Sequence, residues 1–211
     1  MFSGSIPWNA LRQSTDFIMY ELIEDAGIFA WPLGLCSVLA IFIIIERLIS
    51  LRNSRVLPNP IQARFLAGEI PEEGNTHSVA GRILLFFEDV SNDAEQLKAY
   101  ARLQISRMER GLFILEVVIS VAPLIGLLGT VTGLIQVFSQ ITPETGLPDT
   151  QAFIEGVALA LTTTMLGLSI AIPTLAFHSY LGRRIESYAA QLEVGVERLI
   201  TLKRGNKGIV R

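Results

Sequence analysis

The 211-residue chain holds one cysteine, two histidines and few charges: Asp, Glu, Lys and Arg together make up 18% of it. Each shortage excludes something. A lone cysteine cannot form an intrachain disulfide. Cys36 lies in an apolar run with no His or Cys beside it to complete a metal site, so it reads as a small buried hydrophobe. A formal net charge of −3 offers no basic surface for nucleic acid. No nucleophile–base pair, metal cluster or phosphate loop can be read, and we expect no enzyme, cofactor or metal. The glycines of "GLLGTVTG" fall inside an apolar run of lipid length, where a phosphate loop has no place. Soluble domains carry about a quarter charged residues. A chain that is 50% hydrophobic, with mean hydropathy +0.47, points instead to lipid.

A basic leader region is missing too. Residues 1–26 carry Asp16, Glu21, Glu24 and Asp25 against Arg12 alone, so the first apolar run is expected to stay in place as an anchor. That run, Gly27 to Ile45, has 19 residues and no charge. As a helix it measures about 28 Å, matched to a hydrocarbon core of about 30 Å. A second run, 112–141, holds one charge, Glu116, and a third, 152–182, holds one, Glu155. Each contains a proline (Pro32, Pro123, Pro173), which membrane helices tolerate when neighbours satisfy the freed backbone groups. The expected fold is an all-α membrane protein with three transmembrane helices.

Basic residues give the orientation. Nine of the 17 Lys and Arg lie in the 46–111 loop and seven in the 183–211 tail, while the 142–151 connection has none. By the positive-inside rule the loop and the C-terminus are cytoplasmic, and residues 1–26 and the 142–151 hairpin are periplasmic. Leu97, Ala101, Ile105, Met108 and Leu112 form one helical stripe; Ile185, Tyr188, Leu192, Val196 and Leu199 form another. Both enter membrane spans, so spans two and three are expected to continue as long cytoplasmic helices. "VLPNPIQ" and "GEIPEEGNTHS" read as breaks, and Asp16–Glu24 as a short helix on the outer membrane surface.

The spans carry small residues at helical intervals. In span two Ala122, Gly126 and Thr130 recur every fourth position, and Gly129 and Gly133 form G-x-x-x-G. In span three Gly156, Ala160 and Thr164 do the same, as do Thr163, Gly167 and Ala171. Such stripes let helix backbones approach closely in lipid. Thr130 lies 11 residues from Ile141, and Thr164 lies 11 residues from Phe153. Counted from those ends, both hydroxyls sit about 16 Å deep and would face each other. Thr130 and Thr164, with Thr163 beside them, are the candidate polar path; the alternative is plain packing, with each hydroxyl bonded to its own i−4 carbonyl. Glu116 and Glu155 are the auxiliary carboxylates to consider, and neither lies at the depth of the threonines. If charge crosses here, another chain must supply the titratable group.

"APLIGLLGTV" in span two followed by "TTTMLGLSIAIP" in span three, with "ERL" (Glu46 to Leu48) closing the first span, resembles the MotA/TolQ/ExbB proton-channel family over roughly residues 27–200. Three spans and a short outer N-terminus are similar to its ExbB/TolQ branch. The resemblance implies a homopentamer in the bacterial inner membrane around an ExbD- or TolR-like single-span partner that carries a membrane aspartate. Protons would pass by that aspartate and the threonines matching Thr130 and Thr164, driving a TonB- or TolA-like protein. Where ExbB-type members often carry a glutamate, five residues before the span-three threonine, this chain has Leu159, with Glu155 one turn further out. A TolQ-like envelope motor, another proton- or sodium-driven motor, and a non-conducting scaffold whose threonines only pack remain open alternatives.

Overall fold

The computed structural model describes residues 24–52, 56–57, 78–89, 94–141 and 150–207. Residues 1–23 of the 1–26 outer segment, with all but Glu24 of the surface helix expected over Asp16–Glu24, residues 142–149 of the 142–151 hairpin, and most of the two breaks in the loop lie outside these residues.

The described elements are helical: a 3-10 turn Gly27–Phe29, then α1 (Ala30–Ser50), α2 (Val79–Asp89), α3 (Ala94–Ser139) and α4 (Thr150–Lys207). Gly27 opens the turn at φ 52°, a left-handed conformation that a side chain would penalise. Pro32 falls in the first turn of α1, where its missing N–H has no helical partner to lose. Pro173 is interior to α4, and its missing N–H leaves the Ser169 carbonyl without its helical donor; the Thr174 hydroxyl donates to the neighbouring Ile170 carbonyl at 2.6 Å. As the hydropathy runs imply, α1, α3 and α4 are each long and apolar enough to cross a membrane, and the last two extend well beyond span length.

The chain divides into two units. Among the described residues, one gathers those within 24–40, 117–141 and 150–175, the other those within 41–116 and 176–207. The first is a helix bundle with its apolar side chains turned outward: Trp31 is 84% exposed, Leu161 68% and Phe138 65%. A water-soluble monomer does not present such a surface; lipid or neighbouring membrane chains accept it.

The second unit has a conventional core. Leu51, Leu57, Ile83, Leu181, Leu192 and Leu199 are almost wholly buried, Phe86 stacks on Tyr100 with centroids 4.2 Å apart, and the Tyr188 hydroxyl donates to the Leu51 carbonyl at 3.4 Å. Lys98 and Glu197 form an ion pair at 3.0 Å on its surface. All five residues of the α4 stripe are buried. On α3 the stripe turns by about one position: Leu97, Ala101 and Met108 are buried, but Gln104 and Gly111 take the inward places expected for Ile105 and Leu112, which are half-buried. The reason is specific pairing. Gln104 accepts from Arg82, and Gly111 leaves room for Arg47, whose guanidinium occupies the space a Cβ would need.

Candidate ion-path site

Within the first unit α3 and α4 meet along a seam with almost no side chains in it. A Cβ at Gly167 would come within 2.6 Å of the Ala122 carbonyl oxygen, and one at Gly126 within 2.8 Å of the Thr163 carbonyl oxygen. A Cβ at Gly156 would meet Val137 Cγ2 at 2.5 Å and the Gly133 carbonyl oxygen at 2.6 Å. Gly133 in turn lies against the Gly156 carbonyl and Ala160, and Gly129 against the Thr163 side chain. Ala122 is 0% exposed and Ala160 7%. Backbone approach of this kind gives dispersion contact over many atoms, and in lipid that replaces a hydrophobic driving force.

The threonines sit on and beside this seam. Thr163 is completely buried. Its hydroxyl lies 2.8 Å from the Leu159 carbonyl and 3.2 Å from that of Ala160, and across the seam 3.3 Å from that of Gly126. Thr164, half-buried, donates to the same Gly126 carbonyl at 3.2 Å. In the α-helical pattern that carbonyl is also the acceptor for the backbone N–H of Thr130. The Thr130 hydroxyl, half-buried, turns back to the Leu127 carbonyl at 2.6 Å. Thr162, the third member of the "TTT" run, is 7% exposed.

The Thr163 and Thr164 hydroxyls thus converge on one carbonyl group, the Thr130 hydroxyl turns to another, and Thr130 and Thr164 are not level. Thr164 is opposite Gly126, one turn from Thr130 along α3. Two causes combine. Helix α3 ends before Ile141 and α4 begins before Phe153, which brings Thr130 nearer one end and takes Thr164 further from it. The register itself is set by glycine–carbonyl approach, not by hydroxyl–hydroxyl pairing.

The carboxylates lie elsewhere. Glu155 is exposed and accepts from Gln151 Nε2, one turn back, at 3.0 Å. Glu116 is exposed on the stretch of α3 that belongs to the second unit. Leu159 contributes its carbonyl, not its side chain, to the Thr163 hydroxyl. Glu155 is the one ionisable side chain in 117–139 and 150–175. The hydroxyls and carbonyls of this seam donate and accept hydrogen bonds but do not titrate, so a proton-carrying group would have to be brought to them.

The Gly126 carbonyl escaped sequence reasoning because every residue has one; only the small neighbours that expose it could hint at it. Arg47 and Gly111 escaped as a pair for a similar reason. "ERL" and the glycine that closes the loop carry no mark of their contact.

The model of the MotA/TolQ/ExbB proton channel family matches residues 76–194, which take in all three threonines and the whole seam. Biopolymer transport protein exbB1 of Vibrio cholerae is 29% identical over 191 residues, covering 83% of this chain and 84% of that one. Putative biopolymer transport protein ExbB-like 1 of Synechocystis is 33% identical over 187 residues, covering 81% and 73%. Biopolymer transport protein ExbB of Aquifex aeolicus is 39% identical over 95 residues, covering 45% and 63%. With three lipid-length helices and more than half of its residues inside the family match, this chain is a multi-pass membrane protein that belongs to the MotA/TolQ/ExbB proton channel family, on its ExbB-like side.

Proposed function

We propose that the chain is the ring subunit of an ExbB-like motor in the bacterial inner membrane, coupling proton entry to TonB-dependent transport at the outer membrane. One observation carries this reading beyond the family: a hydroxyl-lined seam at mid-span with no acid on it. Thr164 and Thr130 keep part of their surface open, and the carboxylate they lack must come from a second protein. An ExbD-like single-span partner with a membrane aspartate meets that need, and the relatives named biopolymer transport proteins support it. In this reading the ring is a homopentamer, as likeness to the family alone implies; the distribution of Lys and Arg favours a periplasmic N-terminus and a cytoplasmic C-terminus. One charge crossing 100 mV releases about 2.3 kcal/mol. That biases a choice between two helix packings and requires repeated steps to do larger work.

The test is copurification. The tagged chain is extracted in mild detergents and its companions identified by mass spectrometry. A small single-span protein with an intramembrane aspartate is expected. A homo-oligomer without such a companion in every detergent would sink the motor reading. A non-conducting scaffold is then the better account, and the full burial of Thr163 favours it to that extent.

A further inference from the structure

Three helices of the second unit bring basic and amide side chains to one cleft. Arg47 comes from the end of α1, Arg82 from α2, and Gln104 and Arg107 from α3; with Ser50 and Met108 among its walls, the cleft encloses about 220 Å³. No Asp or Glu lines it among the described residues. The carboxylate in contact with the group is that of Glu46, 3.0 Å from Arg47 Nε. Three guanidinium charges against one carboxylate leave the cleft positive.

The hydrogen bonding is unfinished as well. Arg82 Nη2 donates to Gln104 Oε1 at 3.2 Å. A guanidinium has only donors, so it can face only the oxygen of the amide, and this orients Gln104 with its nitrogen free. Gln104 is 1% exposed, and its Nε2 has no acceptor among the described residues; Arg82 Nε is buried in the same state. Arg47 Nη1 reaches the Met108 carbonyl at only 3.4 Å. Buried donors without acceptors are costly. The first turn of α2 also borders the cleft through Val79. There the Ser78 hydroxyl caps the Gly81 N–H at 3.0 Å, placing the positive end of the helix dipole nearby.

We propose that Arg47, Arg82, Gln104 and Arg107 form a binding site for a phosphate group. A tetrahedral oxyanion supplies negative charge and several acceptor oxygens at once, which a cation or an apolar ligand does not. The phosphate could belong to an anionic lipid headgroup, since Arg47 follows the last residue of the charge-free run, Ile45, by two positions. It could also be free in solution. The chemistry of the site is the same for both.

Native mass spectrometry of the purified, delipidated full chain distinguishes them. Phosphatidylglycerol, phosphatidylcholine and inorganic phosphate are titrated separately and in competition. About tenfold tighter retention of phosphatidylglycerol than phosphatidylcholine, not displaced by inorganic phosphate, assigns a lipid headgroup. Saturable binding of inorganic phosphate, competing with the lipid, assigns a soluble phosphate. In either case Gln104→Leu and Arg107→Gln each weaken binding by about tenfold. Arg107 is exposed, so its replacement does not threaten the fold. Equal retention of both lipids with no phosphate binding overturns the proposal, as does binding that neither substitution weakens in a protein with unchanged melting temperature.

Discussion

Thr163 and Thr164 address a single acceptor: their hydroxyls lie 3.3 and 3.2 Å from the carbonyl oxygen of Gly126, on the opposite helix. Thr163 has a shorter alternative in its own helix, 2.8 Å to Leu159. Thr164 is the freer of the two in space, being only half-buried. Adjacent residues of the same type therefore have different work.

Replacing each by valine separates them. Thr163→Val loses a buried hydrogen bond but keeps its shape; the expected cost is about 0.6 kcal/mol, up to about 1.7, in thermal unfolding in detergent. Thr164→Val should leave stability nearly unchanged and, with the partner present, abolish proton uptake into vesicles. Wild-type flux in Thr164→Val would remove that residue from the path.

The seam glycines divide by what faces them. A methyl at Gly156 or Gly167 meets backbone oxygen, which cannot move aside as a side chain can. Gly156→Ala and Gly167→Ala should each cost about 1–3 kcal/mol through overpacking. Gly34 and Gly182 lie within helices and have nothing within 4 Å of a Cβ, and their alanine variants should melt at or slightly above the wild type, a gain of up to about 1 kcal/mol. A uniform response across the four would contradict the seam as described.

Arg47 and Gly111 are coupled through space, not sequence. Gly111→Ala forces the guanidinium off α3 and away from the Met108 carbonyl. Once Arg47 is alanine, the same methyl has no guanidinium to displace. A double-mutant cycle should show an interaction of at least about 0.5 kcal/mol. Simple additivity would mean that Arg47 does not rest there.

Ser78 caps α2 through the Gly81 N–H. Ser78→Ala should cost about 1 kcal/mol and speed hydrogen exchange at the first amides of α2, leaving the amides of the seam unaffected. Unchanged exchange would show that the cap contributes nothing.

Much of this architecture was legible in the chain. Gly27–Ile45 marks the first span because nothing charged interrupts it, although α1 continues through Glu46 and Arg47 to Ser50, since a helix need not end where lipid does. The small residues at 126, 129, 133, 156, 160, 163 and 167 could be read as a close-packing surface from their spacing alone. Their register could not. It depends on which carbonyl meets which glycine, and backbone atoms leave no trace in the sequence. The inward turn of Gln104 was hidden for another reason: hydrophobic periodicity favours Ile105 one position on, and only the approach of Arg82 from a separate helix makes the polar residue the better one to bury.

A contact made by main-chain atoms has no rotamers to exchange. The α3–α4 seam therefore offers few alternative packings: where Gly133 meets Gly156 and Ala122 meets Gly167, the two helices are held backbone against backbone. The outer faces differ, for there Leu124, Leu161 and Met165 present side-chain hydrocarbon that can change rotamer. Lipid or any chain packed on such a face can shift without breaking a hydrogen bond.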